Sequence, residues 1–179
     1  MRFRHVSRGG QYLRVCDPSW SDPIETRFSK LYGARWNPKG WFGALYLNAT
    51  IAVAAANARR TYAGEIATLF DLLPELQPDL AVVTITQSRV IDIVSSKGIA
   101  SAGLPASYPI GASWPVCQGL ASVAYRLGEN GIACRSKADA TATEWIGEEL
   151  ALFDRVADLA TLKSRLSFAD WYPLEVTRI

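Results

Sequence analysis

At 179 residues, 49% hydrophobic and 20% charged, the chain has the length and composition of one ordinary soluble globular domain, which excludes a wholly disordered chain. A formal net charge of +2 is too small to argue for nucleic-acid binding. Three widely spaced cysteines (Cys16, Cys117, Cys134) and one histidine, His5, give no disulfide framework, no CxxC metal site, and poor material for a zinc centre or a Ser-His-Asp triad.

The basic residues gather at the start, at Arg2, Arg4, Arg8 and Arg14, and read as a solvated rim. A nucleic-acid surface built on them is the weaker reading, so no direct nucleic-acid partner is expected. No run of about 18 apolar residues is present to span a membrane. The opening MRFRHVSRGG lacks the apolar stretch of a secretory signal. The expectation is a cytoplasmic protein with reduced thiols and no membrane partner.

In chain order, residues 11–15 (QYLRV) alternate polar and apolar and predict a strand with Arg14 near its end. Residues 16–23 are turn formers and predict a loop, and 24–32 are ambiguous. Residues 33–48, GARWNPKGWFGALYLN, are the stretch around which the rest is arranged. A tight cationic turn with Arg35 and Lys39 feeds the apolar strand 44–47, a pattern suited to holding an anion beside a rigid platform. Asn48 or Thr50 then caps an alanine-rich helix that Gly64 ends, with Ile51, Ala54, Ala55 and Ala58 on one side. A second short helix is expected over 65–73. Residues 80–86 and 90–94 predict two strands, and 97–114 an irregular excursion. Pro115 opens a helix to about 127, with Val116, Leu120, Val123 and Leu127 on its apolar stripe. Strands follow at 132–135, with Ser136 at the exit, and at 149–153, separated by a polar loop over 137–147. A last helix is expected over 156–166, and the tail 171–179 as an edge strand. Strands and helices are intermixed without one-to-one alternation, which fits an α+β class.

Several side chains could carry chemistry. Arg14 and Arg35 sit at the ends of short apolar strands, where a planar, permanently charged fork can be aimed at phosphate; the alternative is two surface arginines paired with carboxylates. Tyr46 is either plain core or a ring that stacks on a ligand. Ser136 is either a strand-end cap or a donor to a ribose or an amide, and no histidine is at hand to make it a nucleophile. Asn57 is the polar residue in AVAAANA, facing either a site or solvent. Asp139, Glu144, Glu148 and Glu149 read mostly as a solvated rim with no acid–base pair by spacing.

Together, Arg14, the turn GARWNPKG, the strand LYLN, the small-residue helix and the later GIACRS resemble the RES domain family, over residues 10–155. The family is named for Arg, Glu and Ser, and includes toxins whose antitoxins carry an Xre-type helix-turn-helix. The resemblance implies an ADP-ribosyltransferase-like fold, a split β core with surrounding helices, in a single domain over 1–179. It implies NAD+ as substrate, no metal, and an Xre-type antitoxin as partner. NAD+ would be consumed by hydrolysis, phosphorolysis or ADP-ribosyl transfer. On that reading Arg14 and Arg35 hold the pyrophosphate or nearby hydroxyls, Tyr46 stacks on the nicotinamide or its ribose, and Ser136 orients that ribose. The family's glutamate is expected eleven residues after the tyrosine, and this sequence has Asn57 there. An asparagine keeps a hydrogen bond but brings no negative charge. Glu65 is too far along the helix to stand in. Activity would then be weak, rest on another carboxylate, or be absent, and the alternative function is a RES-like module that binds NAD+, another nucleotide or a partner protein without turnover.

Overall fold

The computed structural model describes residues 3–61, 63–138, 145 and 147–172. Their alternating segments form six strands: β1 (His5–Cys16), β2 (Ala44–Asn48), β3 (Asp79–Ile93), β4 (Gly131–Arg135), β5 (Glu148–Phe153) and β6 (Ala160–Leu166). They make one sheet in the order β1-β2-β5-β4-β3-β6, and β1 also pairs with β3, so five strands close into a ring and β6 lies outside it. The length of β3 makes closure possible. Its 15 residues carry β1 along one side, from His5–Ile91 to Cys16–Asp79. The other side takes β6 on its first half and β4, in parallel, on its second. The two strands expected at 80–86 and 90–94 are therefore one. Pairing continues through Ser88 across an irregularity between Arg8 and Gly10. There Gly9 lies so close to Gln87 that a Cβ would stand 2.7 Å from its Cα.

The ring is filled by alternate residues of its strands, among them Tyr12, Leu45, Leu47, Val83, Ala133, Leu150 and Leu152. Its outside is covered in two places. The helix α2 (Ile51–Thr61), starting at a Thr50 cap whose hydroxyl accepts from Val53 N, packs Ala54, Ala55 and Ala58 against Leu13 and Leu80. The short α5 (Phe168–Trp171) joins this patch. On the other side, the 33–42 turn, α3 (Ser96–Ser101) and α4 (Trp114–Arg126) bury Trp36, Phe42, Ile99, Cys117, Leu120 and Ala121 against Ile91, Cys134 and Phe153. The buried stripe of α4 is Cys117, Leu120, Ala121 and Ala124, while Val116, Val123 and Leu127 are exposed. Small side chains let this helix approach the sheet closely, so the face expected from the large residues is rotated outward.

Other expectations are corrected. Residues 24–32 include the helix α1 (Arg27–Tyr32), and α3 lies inside the stretch expected to be irregular. The helix expected over 65–73 is replaced by two 3-10 turns, Leu69–Asp71 and Pro74–Leu76. The helix expected over 156–166 is a 3-10 turn and then β6, because a free edge of β3 outweighs the helix preference of Leu, Lys and Arg. Of the tail expected as a strand, Trp171 belongs to α5 and residues 173–179 lie outside the described residues, as does most of the 137–147 loop.

Candidate functional site

The 33–40 turn is built to hold Arg35 still. Gly33 has φ +74°, and a Cβ on it would lie 2.8 Å from Lys39 N, so only glycine fits. Asn37 is fully buried; its Nδ2 donates to Ser29 O (2.7 Å) and Phe42 O (3.2 Å). Trp36 is also fully buried, with Nε1 donating to Cys134 Sγ at 3.1 Å. Tyr46, opposite on β2, accepts from Trp36 N and donates to Asn37 Oδ1, both at 2.8 Å. Burial pushes the Tyr46 phenol well above its ordinary pKa, so it stays a neutral donor. Its hydroxyl is thus spent on the turn, and its ring is what lines the cleft.

The cleft lies where the ring is least closed. β1 and β2 pair at Leu13–Asn48 and part beyond it, whereas β2 pairs with β5 along its whole length. Two adjoining hollows, about 280 and 340 Å³, open over this seam and share Tyr46, Asn57, Thr61 and Glu149. The first is also lined by Ala34, Arg35, Arg60 and Trp114, the second by Arg14, Val15, Trp20 and Asn48. Arg14 is buried, donates from Nη1 to Glu25 O (3.0 Å) and lies over the Trp20 ring at 5.2 Å. Burial lowers its guanidinium pKa from the ordinary value. Arg35 Nη1 is buried near the Tyr108 hydroxyl, which is also buried, and neither makes a hydrogen bond of good geometry among the described residues.

One carboxylate ties the walls together. Asn57, on α2, donates from Nδ2 to Asn48 Oδ1 (2.8 Å) and to Glu149 Oε1 (2.9 Å). Ser136, fully buried at the exit of β4, donates to the same Glu149 oxygen at 2.6 Å. Arg14, Arg35, Tyr46 and Asn57 therefore line the cleft, and Ser136 reaches it through Glu149. Glu149, expected in a solvated rim, lines both hollows instead. Asn48 and Cys134 flank it on the two neighbouring strands, so it stands in the floor. Of the other acids in that group, Glu148 pairs with Arg8 at 2.5 and 2.8 Å, and Asp139 and Glu144 lie outside the described residues. Asn48, Arg60, Thr61, Trp20 and Trp114 were also missed. Only Asn48 gave a signal, as a polar residue ending an apolar strand.

Cys16, Cys117 and Cys134 are buried thiols, and burial pushes each pKa up, away from reactive thiolate. His5 is held between Glu129 (2.9 Å) and Arg89 (2.7 Å). Among the described residues no three His, Cys, Asp or Glu side chains gather as for a metal, and no helix is long and apolar enough to cross a membrane.

A protein-family model described as the RES domain matches residues 11–173. Among solved structures, a chain of the M. tuberculosis MbcT-MbcA toxin–antitoxin complex superposes with a TM-score of 0.75, covering 91% of this chain and 86% of that chain at 18% identity. At that identity the likeness is one of fold. No curated protein matches the sequence.

Proposed function

The chain belongs to the RES domain family, and from that we propose that it consumes NAD+ by breaking the bond between nicotinamide and ribose. One observation carries the reading: the two-part cleft is lined by three arginines, Arg14, Arg35 and Arg60. A pyrophosphate between two nucleosides suits a two-part hollow with arginines along it. Arg14 and Arg35 hold the pyrophosphate or the hydroxyls beside it. The Tyr46 ring packs on the nicotinamide or its ribose. Ser136 orients that ribose through Glu149, to which it and Asn57 both donate. The parted β1–β2 seam supports an ADP-ribosyltransferase-like reading of the fold, with residues 1–179 as one domain.

In the reaction the glycosidic electron pair leaves with the nicotinamide nitrogen, which becomes neutral. The ribosyl carbon takes up positive charge, and an acceptor oxygen, from water, phosphate or a target, bonds to it and gives its proton to solvent. That the structural relative comes from a toxin–antitoxin complex supports an antitoxin partner; the proposal takes this partner to be of the Xre type, covering the cleft of a cytoplasmic toxin. The neutral Asn57 favours the second reading, binding without turnover. Purified protein is mixed with NAD+, with and without phosphate, and free nicotinamide is followed. Release above background is expected. Tight NAD+ binding by calorimetry with no release overturns the enzyme reading in favour of the binding module.

A further inference from the structure

We infer that Glu149 is the catalytic carboxylate of this cleft, the group that stabilises positive charge on the ribosyl carbon, and that Asn57 and Ser136 position it. The inference rests on the reading that the cleft cleaves NAD+. Glu149 is the acid among the residues lining the two hollows, and it lines both, at their junction. Its placement is rigid, since β5 is paired on both sides at this residue, with Asn48 and with Cys134.

Among the described residues its hydrogen bonding is one-sided. Asn57 Nδ2 and Ser136 Oγ both donate to Oε1, at 2.9 and 2.6 Å. Among the described residues no hydrogen bond goes to Oε2. A purely structural tie between α2 and the exit of β4 would gain by using both oxygens. Here one oxygen is anchored, and the other can accept from a ribose hydroxyl. Both anchors are neutral, so they orient the carboxylate without cancelling its charge. Although Arg14, Arg35 and Arg60 line the same hollows, none forms an ion pair with it among the described residues. Asn57 is in turn fixed by Asn48, whose Nδ2 donates to Leu13 O at 3.1 Å, so a chain of bonds runs from β1 through β2 and α2 to the carboxylate.

The chemistry balances without a further reagent. As the bond between ribosyl carbon and nicotinamide nitrogen breaks, the pair leaves with nitrogen and the carbon becomes cationic. The fixed carboxylate, in a site partly closed to water, offsets that charge and takes no proton. The acceptor oxygen then forms the new bond and loses its proton to solvent. A preorganised group aimed at developing charge acts on kcat more than on substrate binding.

The test compares steady-state nicotinamide release by the wild-type chain and by Glu149→Gln, which keeps the shape and an oxygen for both anchors but removes the charge. The expected result is a kcat lower by about 100-fold or more, with KM for NAD+ within about threefold and thermal unfolding unchanged. Should Glu149→Gln fail to fold, Glu149→Asp, which withdraws the carboxylate by one methylene, is expected to lower kcat with KM again retained. A wild-type protein that releases no nicotinamide overturns the cleavage reading and this role with it. An active wild type, with kcat within threefold in the folded variant, overturns the role of Glu149 alone.

Discussion

The Tyr46 hydroxyl accepts from Trp36 N and donates to Asn37 Oδ1, so it joins β2 to the turn that presents Arg35. In Tyr46→Phe both partners are left inside protein without water. The cost expected is about 1–3 kcal/mol, or roughly 2–4 °C of melting temperature per kcal/mol for a chain of this size. Because the ring stays and the turn loosens, KM for NAD+ should rise more than kcat falls. Thermal unfolding and steady-state kinetics on the same preparation check both; an unchanged melting temperature would mean that the turn does not lean on this phenol. At this scale the sequence was half readable. Arg14, Tyr46 and Asn57 stood out because each is a polar or aromatic interruption of an apolar pattern, and Arg35 because it sits in a tight cationic turn that feeds an apolar strand. Glu149 did not, since in GEEL it is one acid beside another. What separates them is strand parity: Leu150 and Leu152 fill the ring, so Glu149 faces outward beside Asn48, and only the pairing with β2 says what lies there.

Between β3 and α3 the chain turns on one acid. Asp92 is buried; Oδ1 accepts from Val94 N and Ser95 N, both at 2.9 Å, and Oδ2 from Ser95 Oγ at 2.5 Å. Ser95 Oγ also accepts from Gly98 N at 3.0 Å, capping α3. Burial works to raise the Asp92 pKa, but these hydrogen bonds outweigh it and hold the carboxyl below its ordinary value. The sign follows: a depressed folded pKa gives stability that is present above the unfolded value, about 3.9, and is lost as pH falls through the lower folded value. Wild type is therefore expected to be more stable than Asp92→Asn at pH 7, with the gap narrowing below about pH 4. Denaturant unfolding at a series of pH values reads it, and a gap independent of pH would show that the charge is not what matters. Element by element, legibility followed length and locality. β2, β4, β5, α2 and α4 announce themselves within their own windows. α1 and α3, six residues each, are too short to show a period. β6 is a strand only because β3 offers it an edge, a fact held some eighty residues earlier in the chain.

Across the whole molecule, closure of the sheet leaves two places of unequal strength. Among the described residues β3, β4 and β5 have neighbours on both sides, while β6 is bonded along one side only and shows four successive exposed residues. The other weak place is the β1–β2 seam, with its single pair at Leu13–Asn48, and the cleft opens over it. A ligand that fills both hollows has to reach from Arg14 on β1 to Arg35 beside β2, and so bridges what the backbone leaves unbridged. Binding should suppress the local openings of the seam and leave those of β6 untouched. With ADP-ribose, which lacks the bond to be broken, amide hydrogen exchange is expected to slow over residues 12–16 and 44–48 and to stay the same over 160–166. Slowing spread evenly over all strands, β6 included, would mean that the ligand stabilises the molecule as one unit, and that the seam is not where it binds.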